Sequence, residues 1–589
     1  MVDAAQRFGT FGAVASTNWL ATATAMSVLE RGGNAFDAAI AGGFVLAVAE
    51  PDQNGLGGEV PIIVRTADGN VRVISGQGPA PMAATHERFA ELGLELVPGS
   101  GVLAACVPGA FDAWMLLARE HGTWTTRELL AYAIGYARDG VPVSAGLAKR
   151  VAAVANVFRA QWPTSAELYL AGGGPIAGGL LRNPALAALL ERIVRESEAA
   201  SGDRVKQIDA AREAWRTGFV AVAAFRWLRD RRVKDLEGRE DVALLAPEDW
   251  ARYEATIEDP VSSRFGDATV FKAGPWSQGP VLLQTLGLME ATGLASTAPE
   301  TGASVHALIE AQKLALADRE AWYGDPRFTD VPLDDLLSTA YARERRALIG
   351  ERAATELRPG SPGGRTARLP SWVTTHSTDG TVARAAARAA QALPVGGDTT
   401  HIDVVDRDRN VVSAMPSGGW LQSSPAIPEL GFPLGTRAQM FWLEQGLPNS
   451  LVPGKRPRTT LTPTVVVGDD GAVIGCGSPG GDGQDQWTAQ LLVRLLAQRS
   501  PLHEAIDAPT FNSMDMPLSF WPRGRRPGVV QLEANWAEDV LTELRRRGHE
   551  VELVPAQSLG WPCAVRADAR GIMTAAASAR GRNGAAAIR

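Results

Sequence analysis

Small and apolar residues recur at helical spacing from the start of the chain. Over residues 13–49 they run through Ala21, Ala25, Val28 and Leu29, and Asn34 is placed to cap a second helix beginning near Asp37. The loop Pro51-Asp52-Gln53-Asn54-Gly55-Leu56-Gly57-Gly58 then leads into an apolar strand over 60–64. From residue 108 to about 354 the pattern predicts mainly helices with polar connections, among them 109–120 and 303–319. Between about 352 and 392 large apolar residues thin out, and Gly, Pro, Arg, Ser, Thr and Ala predict an exposed, mobile connection reaching to about 398. Beyond it the pattern turns to strands. Residues 401–406 and 410–414 flank a turn at Arg407-Asp408-Arg409, and 464–467 and 472–475 flank Gly468-Asp469-Asp470-Gly471, so two hairpins are expected. An amphipathic helix over 484–498 follows. No repeat of solenoid length is present.

Composition narrows this picture without naming a chemistry. The chain has 589 residues, 45% of them hydrophobic and 21% charged, with a net charge of −7. That is the balance of a soluble folded protein, long enough to bury a large core without disulfide or metal staples. An acidic chain with no basic block is not expected to bind nucleic acid. The longest apolar stretch, 38–49, carries two glycines and falls short of a bilayer span, so no membrane contact is expected. The N-terminal residues lack a signal-peptide pattern. Three cysteines (Cys106, Cys476, Cys563) without a CxxC support neither a disulfide framework nor a zinc site. A cytoplasmic protein with no metal and no cofactor is the expectation.

Common catalytic signatures are missing: there is no HExxH, GxSxG or Walker A sequence. Gly55-Leu56-Gly57-Gly58 reads as a tight turn before a strand rather than a phosphate loop. Asp403, Asp406 and Asp408 read as hairpin residues rather than metal ligands. Gly396-Gly397-Asp398-Thr399-Thr400-His401 differs, because a glycine pair and two threonines stand where a mobile loop becomes a strand. Thr374-Thr375-His376 shares three of these residues but lacks the preceding glycines and the alternating strand that follows, and it is set aside.

Downstream lie Gly454-Lys455-Arg456-Pro457-Arg458-Thr459-Thr460-Leu461-Thr462-Pro463-Thr464 and Gly477-Ser478-Pro479-Gly480-Gly481. Upstream lie Gly32-Gly33-Asn34-Ala35-Phe36-Asp37-Ala38-Ala39, Asn54-Gly55-Leu56-Gly57-Gly58, Val107-Pro108-Gly109 and Ala137-Arg138-Asp139-Gly140-Val141-Pro142-Val143-Ser144. In this order and spacing, over nearly the whole chain, these segments resemble the γ-glutamyltransferase family of N-terminal-nucleophile hydrolases. The resemblance implies an α+β fold, a four-layer αββα sandwich. It also implies a precursor that cuts itself between Asp398 and Thr399, giving a mainly helical large subunit, 1–398, and a β-rich small subunit, 399–589. The freed amine of Thr399 would act as base for its own hydroxyl. Gly480 and Gly481 match the family's oxyanion glycines, just before a helix whose dipole would assist. Thr459 and Thr460 match hydroxyls that bind the acyl group, and Ser417 matches a threonine that hydrogen-bonds the nucleophile. Large and small subunits would be mutual partners, with a dimer of such heterodimers open.

The glutamate-recognition residues depart from that family pattern. Gln77, in Ser75-Gly76-Gln77-Gly78-Pro79-Ala80-Pro81, falls where an arginine holds the substrate α-carboxylate. Gly419 replaces an asparagine, and Met440 replaces the aspartate that receives the α-amine. Losing charged partners for a buried ionic head group weakens recognition by several kcal/mol. Arg437, on the segment Gly435-Thr436-Arg437-Ala438-Gln439-Met440-Phe441, offers a guanidinium for a substrate carboxylate. An ion pair at a surface or between subunits is its plainer role. The expected substrate is a small acidic acyl compound without an α-amine, as for members of oxamate amidohydrolase and acylase type. Three alternatives stand beside it: a carbon–carbon bond hydrolase of antibiotic biosynthesis, a γ-glutamyl hydrolase or transferase, and a catalytically silent binding protein.

Overall fold

Asn34 starts its helix as its position predicts. Its side chain accepts from the N–H groups of Phe36 and Asp37, and the Asp37 carboxylate accepts from the Asn34 N–H. The helix that follows, Ala35–Ala49, is apolar on all sides beyond Asp37 in its first turn, and wholly buried. Such a helix needs cover all round. It lies between Trp19–Glu30, neighbouring helices and a seven-stranded sheet. The structure is a computed structural model that describes residues 7–297, 300–375, 398–581 and 583–589.

Across the first sheet the strands run Ala585–Ile588, Gly12–Ser16, Ile402–Asp406, Val411–Ala414, Pro61–Arg65, Val71–Ser75 and Thr256–Glu258. Across the second they run Met573–Ala577, Cys563–Ala567, Val473–Gly477, Thr464–Gly468, Ala268–Lys272 and Val261–Phe265. All neighbours in both sheets are antiparallel. The sheets face one another through Ala15, Val405, Val411, Val465, Val473 and Val565. Outside the first, Ile40 and Phe44 pack on Ile62 and Val404; outside the second, Leu282 and Leu286 of Gly279–Thr292 pack with Val466 and Ile474. The result is the expected four-layer αββα sandwich.

Both expected hairpins form, with Val405 opposite Val411 and Val467 opposite Val473. Arg409 closes the first turn at φ +66°. Two expectations change. Residues 13–16, read as helical, form the strand Gly12–Ser16, which is buried on both faces and so shows no polar alternation. Residues 256–272, inside the stretch expected to be helical, supply an edge strand to each sheet, Thr256–Glu258 and Val261–Phe265, and the inner strand Ala268–Lys272; all three are short, and Val261–Phe265 alternates only weakly.

Of the connection after residue 352, residues 352–375 are mostly irregular chain, interrupted by the short helical turns Pro362–Gly364 and Ser371–Thr375. Gly360 donates to Asp318 at 2.7 Å, and Arg358 reaches Glu310 at 2.9 Å. His376, Gly396 and Gly397 lie outside the described residues, with the rest of that connection. No helix among the described residues is long and apolar enough to cross a membrane.

Candidate active site

Asp398 and Thr399 stand just ahead of the strand Ile402–Asp406, where the first sheet delivers them to a junction of loops. Thr399 pairs with Ser417 in an antiparallel bridge, and Ser417 exchanges both backbone hydrogen bonds with Glu59 at 2.9 and 3.0 Å. Gly58 permits this crossing: a Cβ there would sit 2.1 Å from the Ser417 carbonyl oxygen. A Cβ on Gly57 would lie 1.9 Å from the Pro433 carbonyl. The glycines of this segment, read from the sequence as a tight turn, also serve close packing.

Thr399 is 3% exposed. Its hydroxyl lies 3.3 Å from Ser417 Oγ and 3.3 Å from Gln484 Nε2, which donates to it. The carbonyl oxygen of Asp398 accepts from Ser417 Oγ at 2.9 Å and from the Trp420 indole N–H at 2.8 Å. The Thr399 hydroxyl, the Asp398 carbonyl and the Trp420 N–H are thus gathered around Ser417. The Asp398 carboxylate oxygen Oδ1 accepts the Thr399 N–H at 2.9 Å. Burial pushes that carboxyl up to about 7; Arg150 opposes the shift and Asp52 adds to it.

Arg437 comes to this point too, though not with a free edge. Its Nε donates to Glu59 Oε1 at 2.6 Å, and its Nη2 contacts the same oxygen and donates to Ser417 Oγ at 2.9 Å. The guanidinium lies 5.1 Å from the Trp420 ring and 5.6 Å from that of Phe520. Its bidentate side, expected to clamp a substrate carboxylate, is turned to Glu59. The pair is buried and joins the part before residue 398 to the part after it. Burial raises the Glu59 carboxyl, and Arg437 pulls it back down.

Gly480 and Gly481 form a turn with φ of +126° and +56°, conformations that favour glycine. A Cβ on Gly480 would meet the Trp487 ring at 2.2 Å. The helix Gln484–Leu492 begins three residues later, and Gln484 is its contact with Thr399. Gln278 braces the turn, donating from its side chain to the Gly481 carbonyl at 3.4 Å and from its backbone to that of Thr459 at 2.9 Å. Arg319 donates to Gln278 Oε1 at 2.7 Å and pairs with Asp482. The Thr459 hydroxyl accepts from the Leu461 N–H, whereas the buried Thr460 hydroxyl has no hydrogen-bond partner among the described residues. The Oε1 atom of Gln484 is likewise buried and unpartnered. Such atoms are free to receive polar groups of a bound substrate.

Gln77 is buried, donates to the Gly78 carbonyl at 3.0 Å and leaves its Oε1 unpartnered. It lines a cavity of about 230 Å³ with Tyr253, Arg327 and Arg456, and has no hydrogen bond to the groups around Thr399. Asp403 holds His401 at 2.8 Å, and Asp406 accepts from the Ala35 N–H and Asn410, so both have structural partners. His306, Glu310 and His549 bring three ligand-type atoms within 4.8 Å of one another. Lys313 and Arg358 already occupy the Glu310 carboxylate at 2.7 and 2.9 Å, which disfavours a further cation there. Glu59, Trp420 and Gln484 were not among the residues the sequence singled out. For Gln484 a signal existed: a polar residue opening a helix directly after the glycine turn.

A family model described as gamma-glutamyltranspeptidase matches residues 21–588. Among solved structures, a protein named LmbA2991 is similar with a TM-score of 0.91 and 50% identity, covering all of both chains. Cephalosporin acylase from Bacillus halodurans follows with a TM-score of 0.82 and 27% identity over 99% of this chain and 97% of that one. The oxamate amidohydrolase proenzyme of Klebsiella pneumoniae is 29% identical over 591 residues, 98% of each chain.

Proposed function

Because the chain belongs to the γ-glutamyltranspeptidase family of hydrolases, we propose that it cuts itself at Asp398–Thr399 and then uses Thr399 against a small acidic, non-γ-glutamyl acyl compound. The carrying observation is the contact set of Thr399: hydroxyl at 3.3 Å from both Ser417 and Gln484, on the residue directly after Asp398, whose carbonyl takes two donors. Once cut, Thr399 has a free α-amine. Such an amine titrates near pH 8 and is basic enough at neutral pH to take the hydroxyl proton as the oxygen attacks a substrate carbonyl. The tetrahedral oxyanion is assigned to the N–H groups of Gly480 and Gly481, at the N-terminal side of Gln484–Leu492. The leaving group departs with a proton, and water hydrolyses the acyl-threonine ester.

Two features support an acidic acyl group without an α-amine. The positions that would pair with both charges of a glutamyl head are the neutral Gln77 and Met440. Arg437 is hydrogen-bonded to Ser417, beside Thr399, and although Glu59 balances its charge, its Nη1 is spent only on the Met440 sulfur at 3.8 Å and can donate to an anionic acyl half. A relative cleaving oxamate, the monoamide of a dicarboxylic acid, fits that chemistry.

A denaturing gel tests the first half of the proposal. Freshly made protein is expected to convert from one full-length band to pieces of about 42 and about 20 kDa, while Thr399→Ala stays whole and inactive. A Thr399→Ala protein that still cuts overturns the nucleophile assignment. For the substrate, amides of small dicarboxylic acids and a γ-glutamyl anilide are offered in parallel, with the Thr399 adduct read by mass spectrometry. Equal turnover of the anilide overturns the substrate class.

A further inference from the structure

Ser417 can be given a definite hydrogen-bond direction from its neighbours. Arg437 only donates, so Ser417 Oγ accepts from Nη2 at 2.9 Å. The Asp398 carbonyl only accepts, so the single Ser417 proton points to it at 2.9 Å. Thr399 Oγ1 is then left to donate to Ser417 Oγ across 3.3 Å, while Gln484 donates to Thr399 Oγ1. The nucleophile's proton is thus already aimed at the group that donates to the scissile carbonyl. A second donor on that carbonyl is the Trp420 indole N–H, 2.8 Å away, and this N–H also reaches the Gln53 carbonyl at 2.8 Å. The ring is fixed by the Arg437 guanidinium at 5.1 Å and by Phe520, whose centroid is 6.1 Å away.

We propose that Trp420 is a catalytic residue of self-cleavage, forming with Ser417 an oxyanion cradle on the Asp398 carbonyl that is distinct from the Gly480–Gly481 turn. This rests on the self-cleavage reading above. As Thr399 Oγ1 bonds to the Asp398 carbonyl carbon, the carbonyl π pair moves onto oxygen, where the Trp420 N–H and the Ser417 O–H hold it. The Thr399 hydroxyl proton passes to Ser417 Oγ as the Ser417 proton moves onto the oxyanion. Collapse reverses that last transfer, breaks the carbon–nitrogen bond and delivers a proton to the departing nitrogen. This leaves an ester between Asp398 and Thr399 Oγ1 and a free Thr399 amine. Water then adds its hydroxide to the ester carbon and its proton to Thr399 Oγ1, so the sum is peptide plus water to acid plus amine. When the Asp398 end departs, the Trp420 N–H keeps Gln53 as its partner, and no buried donor is stranded.

Removal of one oxyanion donor lowers a rate by about 10²–10³-fold. The test follows conversion of freshly made full-length precursor by timed denaturing gels, in the parent, Trp420→Phe, Trp420→His and Thr399→Ala. Trp420→Phe keeps an aromatic ring without the donor and is expected to slow the first-order conversion by about that factor. Trp420→His restores a ring N–H and is expected to recover part of the loss. Folding is read separately, from the melting of each Trp420 variant in the Thr399→Ala background; if the Phe variant does not melt cooperatively, the His variant is compared with the parent alone and is expected to be slower. Conversion of folded Trp420→Phe at the parental rate, or of folded Trp420→His no faster than folded Trp420→Phe, overturns the role of Trp420 and leaves self-cleavage standing. Cleavage in Thr399→Ala, or no cleavage in the parent, overturns both.

Discussion

In the proposed self-cleavage Asp398 would offer its peptide carbonyl to attack, while its side chain accepts the N–H of the nitrogen that would leave, at 2.9 Å. Burial pushes its carboxyl up to about 7, against the pull of Arg150. Below that pH the group is neutral and carries a proton beside the departing nitrogen; above it the proton is gone. With this carboxyl as general acid for nitrogen departure, self-cleavage is expected to be fastest on the acid side and to slow as pH rises through about 7. Timed conversion of the precursor in a series of buffers measures this, and Asp398→Asn is expected to be slower with a flatter profile. The same shift carries a sign for stability. A raised carboxyl holds its proton more tightly in the folded precursor than in the unfolded chain. Its contribution to stability is present at acidic pH and fades as pH rises through about 7. A cleavage rate that climbs steadily through neutrality would point instead to deprotonation of the nucleophile as the governing step.

The Glu59–Arg437 pair belongs to the scale of elements, since it fastens the turn ahead of Pro61–Arg65 to the loop that follows Val411–Ala414. Arg437 is 1% exposed. Arg437→Met leaves a buried carboxylate without its partner and is expected to cost about 3–5 kcal/mol. In Glu59→Gln/Arg437→Met no charge is stranded, so the double variant is expected to be more stable than the sum of the single losses implies. Urea unfolding of the four proteins in the Thr399→Ala background measures the coupling, and additive losses would refute it. At this scale much of the fold was legible before the structure. The hairpin at Arg407–Arg409 follows from strand alternation and turn residues, and the Asn34 cap from a local hydrogen-bonding rule. Gly12–Ser16 was not legible as a strand, because burial on both faces removes the period that distinguishes strands from helices. The site divides along the same line. Thr399, Ser417 and the glycine turn stand in motifs with fixed local order. The Glu59–Arg437 and Trp420–Asp398 contacts span 378 and 22 positions, and only the folded sheets bring them together.

On the scale of the whole molecule, a cut at residue 398 falls through a fold that does not divide there. Gly12–Ser16 lies between Ala585–Ile588 and Ile402–Asp406, so one strand of the large piece is hydrogen-bonded on both sides to the small one. In the second sheet, Ala268–Lys272 pairs with Thr464–Gly468 across the same divide. His306 meets His549 at 2.8 Å, and Arg458 meets Glu320 at 3.0 Å, so buried polar contacts also cross it. Separating the pieces would expose the edges and faces of both sheets, which is the free-energy cost of unfolding rather than of parting two docked domains. The cleaved protein is therefore expected to elute as one species in native gel filtration and to melt in one transition shared by both pieces. The pieces should resolve only in denaturant. Scanning calorimetry beside gel filtration of fully cleaved protein measures this, and a small piece that elutes alone in native buffer contradicts it. The interleaving also constrains the proposed chemistry: Thr399 is 3% exposed in the uncut chain, so cleavage there would create the new amine inside an already closed core and change bonding at Thr399 without needing to assemble the site around it.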